Sequence, residues 1–298
     1  MTHYFFSPHP DDAALSCGGQ IALLTRQGEQ VIVLTLTAGD PSAALRPSAL
    51  VEELWTRWGL GAGAAVTAGR RAEDQTAISM LGAKVEFWTW RDAVYRLDPL
   101  SGEYIYPVSD SYFGDIPAND PLAVEINNPD NSVLIRSFVQ RIRVGDTIHC
   151  PLSVGGHADH RLTLRMVQTM NLADRGVDVV YYEEYPYSAP DYRGSSTAVV
   201  IRKALDQAAM WANRDGTGHF IPTATIHPLD SMALDAKIAA INCYQSQLSS
   251  FWSDSAAMAD SVQRYTNQVG GEREWRFIHS DSRTDSSVMS SQKDFSKL

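Results

Sequence analysis

Short apolar runs alternate with helical patterns through the first half of this chain, and that order restricts the fold to few classes. Strands are predicted at Tyr4–Ser7, Gln30–Thr37 and Lys84–Trp88, and helices at Leu15–Arg26, Ser48–Trp58 and Arg70–Leu81. Strands that alternate with helices favour a mostly parallel sheet. We therefore predict an α/β, Rossmann-like fold with helices on both faces of the sheet.

The alternation resumes after an irregular insertion at residues 91–131, which is dense in Pro, Asp, Asn, Gly and Tyr. A loop of this length in a compact domain is usually functional or disordered, so we expect elaborated active-site loops. Further helices are predicted at Val133–Arg143, Arg161–Asp174 and Ala233–Gln247, and further strands at Asp146–Cys150, Val177–Tyr182 and Thr197–Ile201. We expect a single domain over residues 1–280 and a flexible, Ser/Asp-rich tail at 281–298.

Charge and cysteine content argue against several function classes. A net charge of −10 disfavours a nucleic-acid partner, whose phosphates need a basic surface. The three cysteines form no CxxC pair, so neither a disulfide framework nor a structural zinc cluster is predicted. The start lacks a signal-peptide pattern, and no apolar run approaches the roughly 18 residues that cross a bilayer. We expect a cytoplasmic protein without membrane insertion; the oligomeric state stays open.

The segment Pro8-His9-Pro10-Asp11-Asp12 lies between the first predicted strand and the first predicted helix. Open α/β folds keep their ligand sites at this edge of the sheet. His9 and Asp12 are three positions apart and can share one metal ion. Asp11, between them, is then free for acid–base work.

A second polar cluster, Gly156-His157-Ala158-Asp159-His160-Arg161, follows another predicted strand. A catalytic zinc site takes three protein ligands and leaves one position for water, and His160 can be the third ligand. His157, as an imidazolium, can stabilise the oxyanion that forms when water attacks a carbonyl, and Asp159 can orient His157. The two clusters together predict a mononuclear zinc hydrolase with one Zn²⁺ per chain.

Simpler explanations exist for each of these residues. An aspartate before Ala-Ala-Leu is also typical of a helix N-cap, and a single histidine after a strand is usually an ordinary surface or core residue. The coincidence favours a metal site, because both clusters follow predicted strands and would open at the same edge of one sheet. The remaining histidines, such as His149, are expected to be structural.

With these residues, the chain resembles the PIG-L/LmbE-like zinc-dependent de-N-acetylases. The resemblance rests on Pro8-His9-Pro10-Asp11-Asp12 and on His157-Ala158-Asp159-His160, and it extends over about residues 3 to 250 through weaker matches. It implies zinc on His9, Asp12 and His160, Asp11 as the general base, and His157 as an electrostatic and acid partner tuned by Asp159. The implied reaction hydrolyses the acetamide of an N-acetylglucosamine-type sugar or conjugate.

Two positions depart from the family pattern. Many members have Glu after the double Asp, whereas this chain has Ala13. Some members place a tyrosine two residues before the first histidine of the second motif, where this chain has Gly155. The general acid must therefore be His157 or a tyrosine from elsewhere.

Substrate contacts are implied for Arg70 and Asp92, which match family positions that reach the sugar. Guanidinium donors and carboxylate acceptors suit sugar hydroxyls. The simpler explanations are a surface helix charge and a turn former. A group of aromatic residues in the insertion is the better candidate for a substrate loop than a second group farther along: Tyr104, Tyr106, Tyr112 and Phe113, against Tyr181, Tyr182, Tyr185 and Tyr187.

Three functions therefore compete. The first is a metal-dependent hydrolase that acts on a small N-acetylated sugar or glycoconjugate. The second is an amidase of a thiol–sugar conjugate with the same metal and base. The third is a non-catalytic sugar-binding relative; nucleotide binding is disfavoured because Cys17-Gly18-Gly19 is not a GxGxxG turn. Zinc is the expected cofactor, although a His-Asp-His site accepts other divalent transition metals.

Overall fold

The computed structural model describes residues 1–190, 192, 197–212 and 220–279. Within these residues, seven strands form one sheet in the order β3-β2-β1-β4-β5-β7-β6. The strands are β1 (Thr2–Ser7), β2 (Gln30–Thr35), β3 (Lys84–Phe87), β4 (Thr147–Pro151), β5 (Asp178–Tyr182), β6 (Phe220–His227) and β7 (Glu272–His279). The tail predicted at 281–298 lies outside the described residues, and the single domain over 1–280 stays a prediction.

The first five strands of the sheet are parallel, and the order of connection reverses beside β1. Strand β1 pairs with β2 on one side, where Phe5 lies opposite Val33, and with β4 on the other, where Phe5 lies opposite His149. Strand β7 is antiparallel to β5 and to β6. Such a reversal leaves a crevice at the carboxyl ends of β1 and β4, where open α/β sheets bind ligands.

Helices cover both faces of the sheet, as the sequence predicted. The helices are α1 (Asp12–Arg26), α2 (Ala49–Trp58), α3 (Ala64–Met80), α4 (Pro121–Asn127), α5 (Val133–Arg141), α6 (Ala158–Thr169), α7 (Thr197–Ala212), α8 (Ser231–Ile241), α9 (Gln245–Leu248) and α10 (Ser255–Val269). Side chains alternate along β1: Tyr4 and Phe6 pack in one apolar cluster with α5 and α6, and Phe5 packs in another with α1, α3 and α8. None of the described helices is long and apolar enough to span a bilayer.

One predicted strand is wrong. Thr197–Ile201 forms the start of α7, not a strand. The β-branched run Thr-Ala-Val-Val-Ile suggested a strand, but the buried positions Ile201, Ala204, Leu205 and Ala208 follow the i, i+3, i+4, i+7 spacing of a helix. The helix predicted over Ala233–Gln247 is divided into α8 and α9.

The insertion at residues 91–131 is packed against the sheet rather than structureless. It contains α4 and three short 3-10 helices, at Ala93–Tyr95, Ser109–Phe113 and Pro129–Asn131. The sequence did not predict these elements. Arg96 anchors the insertion, because its buried guanidinium lies 3.0 Å from Asp120 Oδ2 and also donates to Asp159. The insertion is thereby tied to α6, which carries the second motif.

Candidate metal centre and active site

The turn that follows β1 is held in a strained conformation. Ser7 Oγ donates to the His9 carbonyl at 2.7 Å and accepts from the Ala13 amide at 3.0 Å, which fixes the turn at the start of α1. Asp11 has φ 120°, a conformation that non-glycine residues rarely adopt. Asp11 stands at the N-cap position of α1, yet its side chain makes no capping hydrogen bond. The helix-cap explanation therefore does not account for Asp11.

Asp12 brings the two motifs together. Its Oδ2 atom accepts from the His9 amide at 2.8 Å and lies 3.2 Å from His9 Nδ1 and 3.3 Å from His160 Nε2. Zinc bonds of 2.0–2.1 Å in a tetrahedron place neighbouring ligand atoms about 3.3–3.4 Å apart. The two distances from Asp12 Oδ2, to His9 and to His160, therefore match those between neighbouring ligands of one zinc ion. His157 is close as well, since one ring nitrogen each of His9, His157 and His160 lies within 4.8 Å of the others.

The environment of His160 also suits a metal ligand. His160 is fully buried, and its Nδ1 atom lies 3.1 Å from Oε1 of Glu184. Its Nε2 atom is buried and lies 3.3 Å from Oδ2 of Asp12. A carboxylate on one ring nitrogen fixes the tautomer and leaves the other nitrogen free to bind a metal. In this way the donor set fits zinc, with Glu184 as the orienting group.

Asp159 does not direct its carboxylate at His157. Its Oδ2 atom lies 3.0 Å from His9 Nε2 and accepts from the Ala93 amide at 2.9 Å, while Oδ1 accepts from Arg96. Burial opposes ionisation, but the Arg96 guanidinium and the bond from His9 hold the pKa of Asp159 well below its ordinary value. Asp159 therefore orients the ring of His9 in the same way as Glu184 orients the ring of His160.

His157 caps the first turn of α6. Its Nδ1 atom accepts from the Asp159 amide at 3.2 Å, so a neutral ring carries its proton on Nε2. Burial and the charge of His9 lower the pKa of His157 well below its ordinary value. This environment favours a neutral imidazole that donates through Nε2, rather than the imidazolium that the sequence suggested.

The structure brings Arg70 and Asp92 to the same site. Arg70 is only 7% exposed and packs over the ring of Trp58 at 4.7 Å, so it is not a surface charge. Its guanidinium lies 3.7 Å from Asp11 Oδ2 and 3.4 Å from Asp92 Oδ2. Asp92 also accepts from the Val94 amide at 3.2 Å, so it is a turn former and a site residue together.

The pKa values of the adjacent aspartates move in opposite directions. Burial and the neighbouring charge of Asp12 raise the pKa of Asp11 well above its ordinary value. Burial also opposes ionisation of Asp12. The positive charges of His160 and His9, and their hydrogen bonds to the carboxylate, nevertheless hold the pKa of Asp12 well below its ordinary value. Asp12 is therefore suited to bind a cation, and Asp11 to accept a proton.

Two departures from the family pattern have a structural explanation. A Cβ atom on Gly155 would lie 2.7 Å from Cγ of Tyr187, so the Tyr187 ring occupies that space. Tyr187 packs edge-on against His160 with ring centroids 5.9 Å apart. Ala13 lies in the apolar cluster of Phe5, where a charged side chain would be buried.

Sequence reasoning missed Glu184 and Arg96 as site residues. Glu184 had a recognisable signal, because Glu183-Glu184 directly follows a predicted strand, as both motifs do. Arg96 lies in one of the weaker family matches, Arg91–Arg96, but its role could not be predicted because its partners Asp120 and Asp159 are distant in the chain. Among the aromatic residues, Tyr112 is in ring contact with His157 at 4.9 Å. Tyr104 instead donates its hydroxyl to the Arg46 carbonyl at 2.7 Å.

Known proteins with similar sequences support a common family. The sequence profile described as PIG-L, GlcNAc-PI de-N-acetylase, matches residues 4–171, more than half of the 298 residues. Two curated relatives, the 2'-N-acetylparomamine deacetylases of Niallia circulans and Streptomyces fradiae, are 31% and 28% identical over 193 and 209 residues. These matches cover 61% and 68% of this chain but 66% and 61% of the relatives, less than two thirds of their length.

Known structures share the fold. The zinc-inhibited form of teicoplanin deacetylase superposes with a TM-score of 0.71 at 22% identity, over 94% of this chain and 99% of that one. The family profile spans the stretch that contains both histidine motifs, Asp11, and the helices that carry Arg70 and His160. The chain belongs to the PIG-L family of GlcNAc-PI de-N-acetylases.

Proposed function

We propose that this protein is a zinc-dependent hydrolase that removes the acetyl group from an N-acetylated amino sugar or glycoconjugate. The observation that carries the proposal is the position of Asp12 Oδ2, 3.2 Å from His9 Nδ1 and 3.3 Å from His160 Nε2, next in sequence to Asp11, whose carboxylate caps no helix amide. His9, Asp12 and His160 would hold the metal. When bound, zinc is a Lewis acid that lowers the pKa of water to roughly 7 and polarises a carbonyl.

Asp11 is the proposed general base. Its raised pKa makes it a stronger proton acceptor, and Arg70 at 3.7 Å keeps a positive charge beside its ionised form. Asp11 takes the proton of the attacking water while the water oxygen bonds to the amide carbon. When the carbon–nitrogen bond breaks, Asp11 gives that proton to the amine nitrogen, and the products are a free amine and acetate.

His157 is the proposed donor to the developing oxyanion. Because its Nδ1 atom accepts a backbone amide, the Nε2 proton is available to an oxygen at the metal site. A fixed donor of this kind acts on charge that develops in the transition state. His157→Ala should therefore reduce kcat by about 100-fold and change KM much less.

The residues around Asp11 support this substrate class. Arg70 and Asp92 place one guanidinium and one carboxylate beside the base, which matches the donors and acceptors of sugar hydroxyls. The relatives named for acetylated paromamine and for teicoplanin support an N-acetylated sugar or glycoconjugate. An amidase of a thiol–sugar conjugate would use the same site on a different acyl group. Rates on a series of glucosamine amides with different acyl groups distinguish that amidase from a deacetylase.

The experiment measures zinc per chain and release of amine and acetate from N-acetylglucosamine glycosides, before and after chelation. We expect about one zinc per chain and chelator-sensitive release. Asp11→Asn should keep zinc and lose about 10²- to 10⁴-fold in turnover, whereas His160→Ala should lose zinc itself. Zinc binding without any amide hydrolysis would favour the sugar-binding alternative. Full turnover by zinc-loaded Asp11→Asn would refute the role of the base.

A further inference from the structure

Arg96 links the irregular insertion to the second motif through a buried triad of charges. Its guanidinium lies between two aspartates: Nη1 donates to Oδ1 of Asp159, and Nη2 lies 3.0 Å from Oδ2 of Asp120. Arg96 is 3% exposed, Asp159 1% and Asp120 0%. A buried group of ions is often no more stable than apolar residues of similar volume. Stability alone is therefore a poor reason for three buried charges, and the geometry that they impose is a better one.

One side of the triad belongs to the insertion. Asp120 caps α4, since its Oδ1 atom accepts from the Leu122 amide at 2.8 Å, and its Oδ2 atom accepts from the Tyr106 hydroxyl at 2.7 Å. The centre of the Tyr106 ring lies 5.2 Å from the guanidinium carbon of Arg96. A planar guanidinium with donors in fixed directions has little freedom in such surroundings. Arg96 therefore presents its Nη1 atom to Asp159 in one orientation.

The other side of the triad reaches the proposed metal ligands. The Ala93 amide and the Arg96 guanidinium together hold the carboxylate of Asp159. Its Oδ2 atom consequently faces His9 Nε2 at 3.0 Å. The other ring nitrogen of His9, Nδ1, lies 3.2 Å from Asp12 Oδ2. A carboxylate on the outer nitrogen of a ligand histidine fixes the ring and makes it a better ligand. A continuous series of contacts thus joins α4 to His9.

We propose that Arg96 is a positioning residue of the metal site: acting through Asp159, it fixes the ring of His9 and so couples zinc affinity to the docking of the insertion. The inference rests on the proposed function for the identity of the metal. Thermodynamic linkage makes such a coupling reciprocal, so bound zinc should stabilise the docked insertion. The competing explanation is that Arg96 only fastens the insertion to α6. Any other fastening would serve equally well in that case.

Arg161 provides the matched control. It is also an arginine that joins α6 to the insertion, but its Nη2 atom donates to the backbone carbonyls of Tyr112 and Gly114 instead of a carboxylate beside a metal ligand. A lysine keeps the positive charge at either position and loses the guanidinium fork. The two substitutions therefore loosen the same insertion from the same helix, and only Arg96→Lys acts on Asp159.

The test measures zinc affinity of the full chain by competition with a chelator. We expect Arg96→Lys to weaken zinc binding about ten-fold and Arg161→Lys to leave it unchanged. Asp159→Asn should weaken zinc binding as well, and Arg96→Lys should then add no further loss, because the effect of Arg96 passes through Asp159. Unchanged affinity in Arg96→Lys, an equal loss in both lysine variants, or additive losses in the double variant would overturn the proposal.

Hydrogen exchange of the parent protein tests the reverse coupling and does not depend on the folding of any variant. Zinc should slow exchange of the Ala93 and Leu122 amides, which donate to the two aspartates of the triad. Equal exchange rates with and without zinc would contradict the coupling. Neither measurement needs turnover. The expected pattern in a protein that releases no amine would refute the hydrolase and support the role of Arg96, whereas a parent that binds no zinc would refute both.

Discussion

Replacement of Glu184 by Gln should weaken zinc binding without disrupting the fold. The two oxygens of Glu184 have different partners: Oε1 lies 3.1 Å from His160 Nδ1, and Oε2 accepts from the Val154 amide at 3.0 Å. When His160 binds a metal through Nε2, its Nδ1 carries a proton. Both partners are then donors, and a glutamine offers only one oxygen to two donors.

The loss of zinc affinity can be estimated from the hydrogen-bond donor that the glutamine oxygen cannot accept. In the Glu184→Gln variant, the new side-chain amide group would face either the Val154 amide or the His160 Nδ1 proton, and an unpaired buried donor costs about 1–3 kcal/mol. In the metal-free protein a neutral imidazole can avoid this conflict by carrying its proton on Nε2, the tautomer that cannot bind zinc through that atom. The cost therefore falls on metal binding, and we expect zinc affinity to fall about 10- to 100-fold.

Glu183→Gln is the control. Glu183 is the adjacent residue and is also buried, but it lies on the other side of β5, where it accepts from Trp275 at 2.7 Å and Arg273 at 3.2 Å. Zinc affinity is measured by competition with a chelator, and turnover at saturating zinc. We expect Glu183→Gln to alter thermal stability but not zinc affinity. Equal zinc affinity in Glu184→Gln and the parent, or equal weakening in both variants, would refute this account of His160.

Two further predictions concern Gly155 and Asp74. Gly155→Ala should destabilise the fold by about 1–3 kcal/mol in thermal unfolding, because its Cβ would lie 2.7 Å from the Tyr187 ring. The loss of stability should disappear in a Tyr187→Ala background, and its persistence there would refute the clash. Burial raises the pKa of Asp74 to about 6, against an ordinary value of 3.8, despite hydrogen bonds from Thr35 and Tyr244. The unfolded chain thus loses this proton near pH 4 and the folded one near pH 6, so stability falls by roughly 3 kcal/mol as pH rises through that window. Asp74→Asn should remove this decrease in urea unfolding at pH 4.5 and 7, and an equal pH dependence in both proteins would refute it.

The local part of the fold could be predicted from sequence because its signals are local. Apolar runs such as Gln30–Thr35 are buried on both faces of a parallel sheet, and each is followed by a helix with its own periodicity. Both motifs were predicted at strand ends, and the parallel sheet brings those ends together. The meeting of Asp12 with His160, 148 positions apart, therefore needed only the sheet topology.

The remainder depends on partners that are distant in sequence. The sequence of strand β7 is rich in charged residues, yet Glu272 and Glu274 are buried in it. Lys237 Nζ lies 2.7 Å from Glu272, and His149 Nδ1 lies 2.5 Å from Glu274. A period-two pattern of apolar residues cannot show such a strand. The role of Asp159 was assigned to His157 because the two are neighbours in sequence. The folded chain instead brings its carboxylate to His9, which is 150 residues away.

The backbone of Asp11 explains how two identical neighbours acquire different chemistry. Two consecutive aspartates at the start of a helix would normally face either solvent or the unpaired backbone amides of the first turn. With φ at 120°, the chain turns the Asp11 carboxylate away from those amides and toward Arg70, while Asp12 enters the helix with its carboxylate between His9 and His160. One carboxylate is then surrounded by ligand nitrogens and stays ionised, and the other is buried beside that negative charge and holds a proton more readily. Strain of this kind costs about 1–3 kcal/mol, and it persists here because Ser7 bonds on both sides of the turn and the metal-site side chains require it.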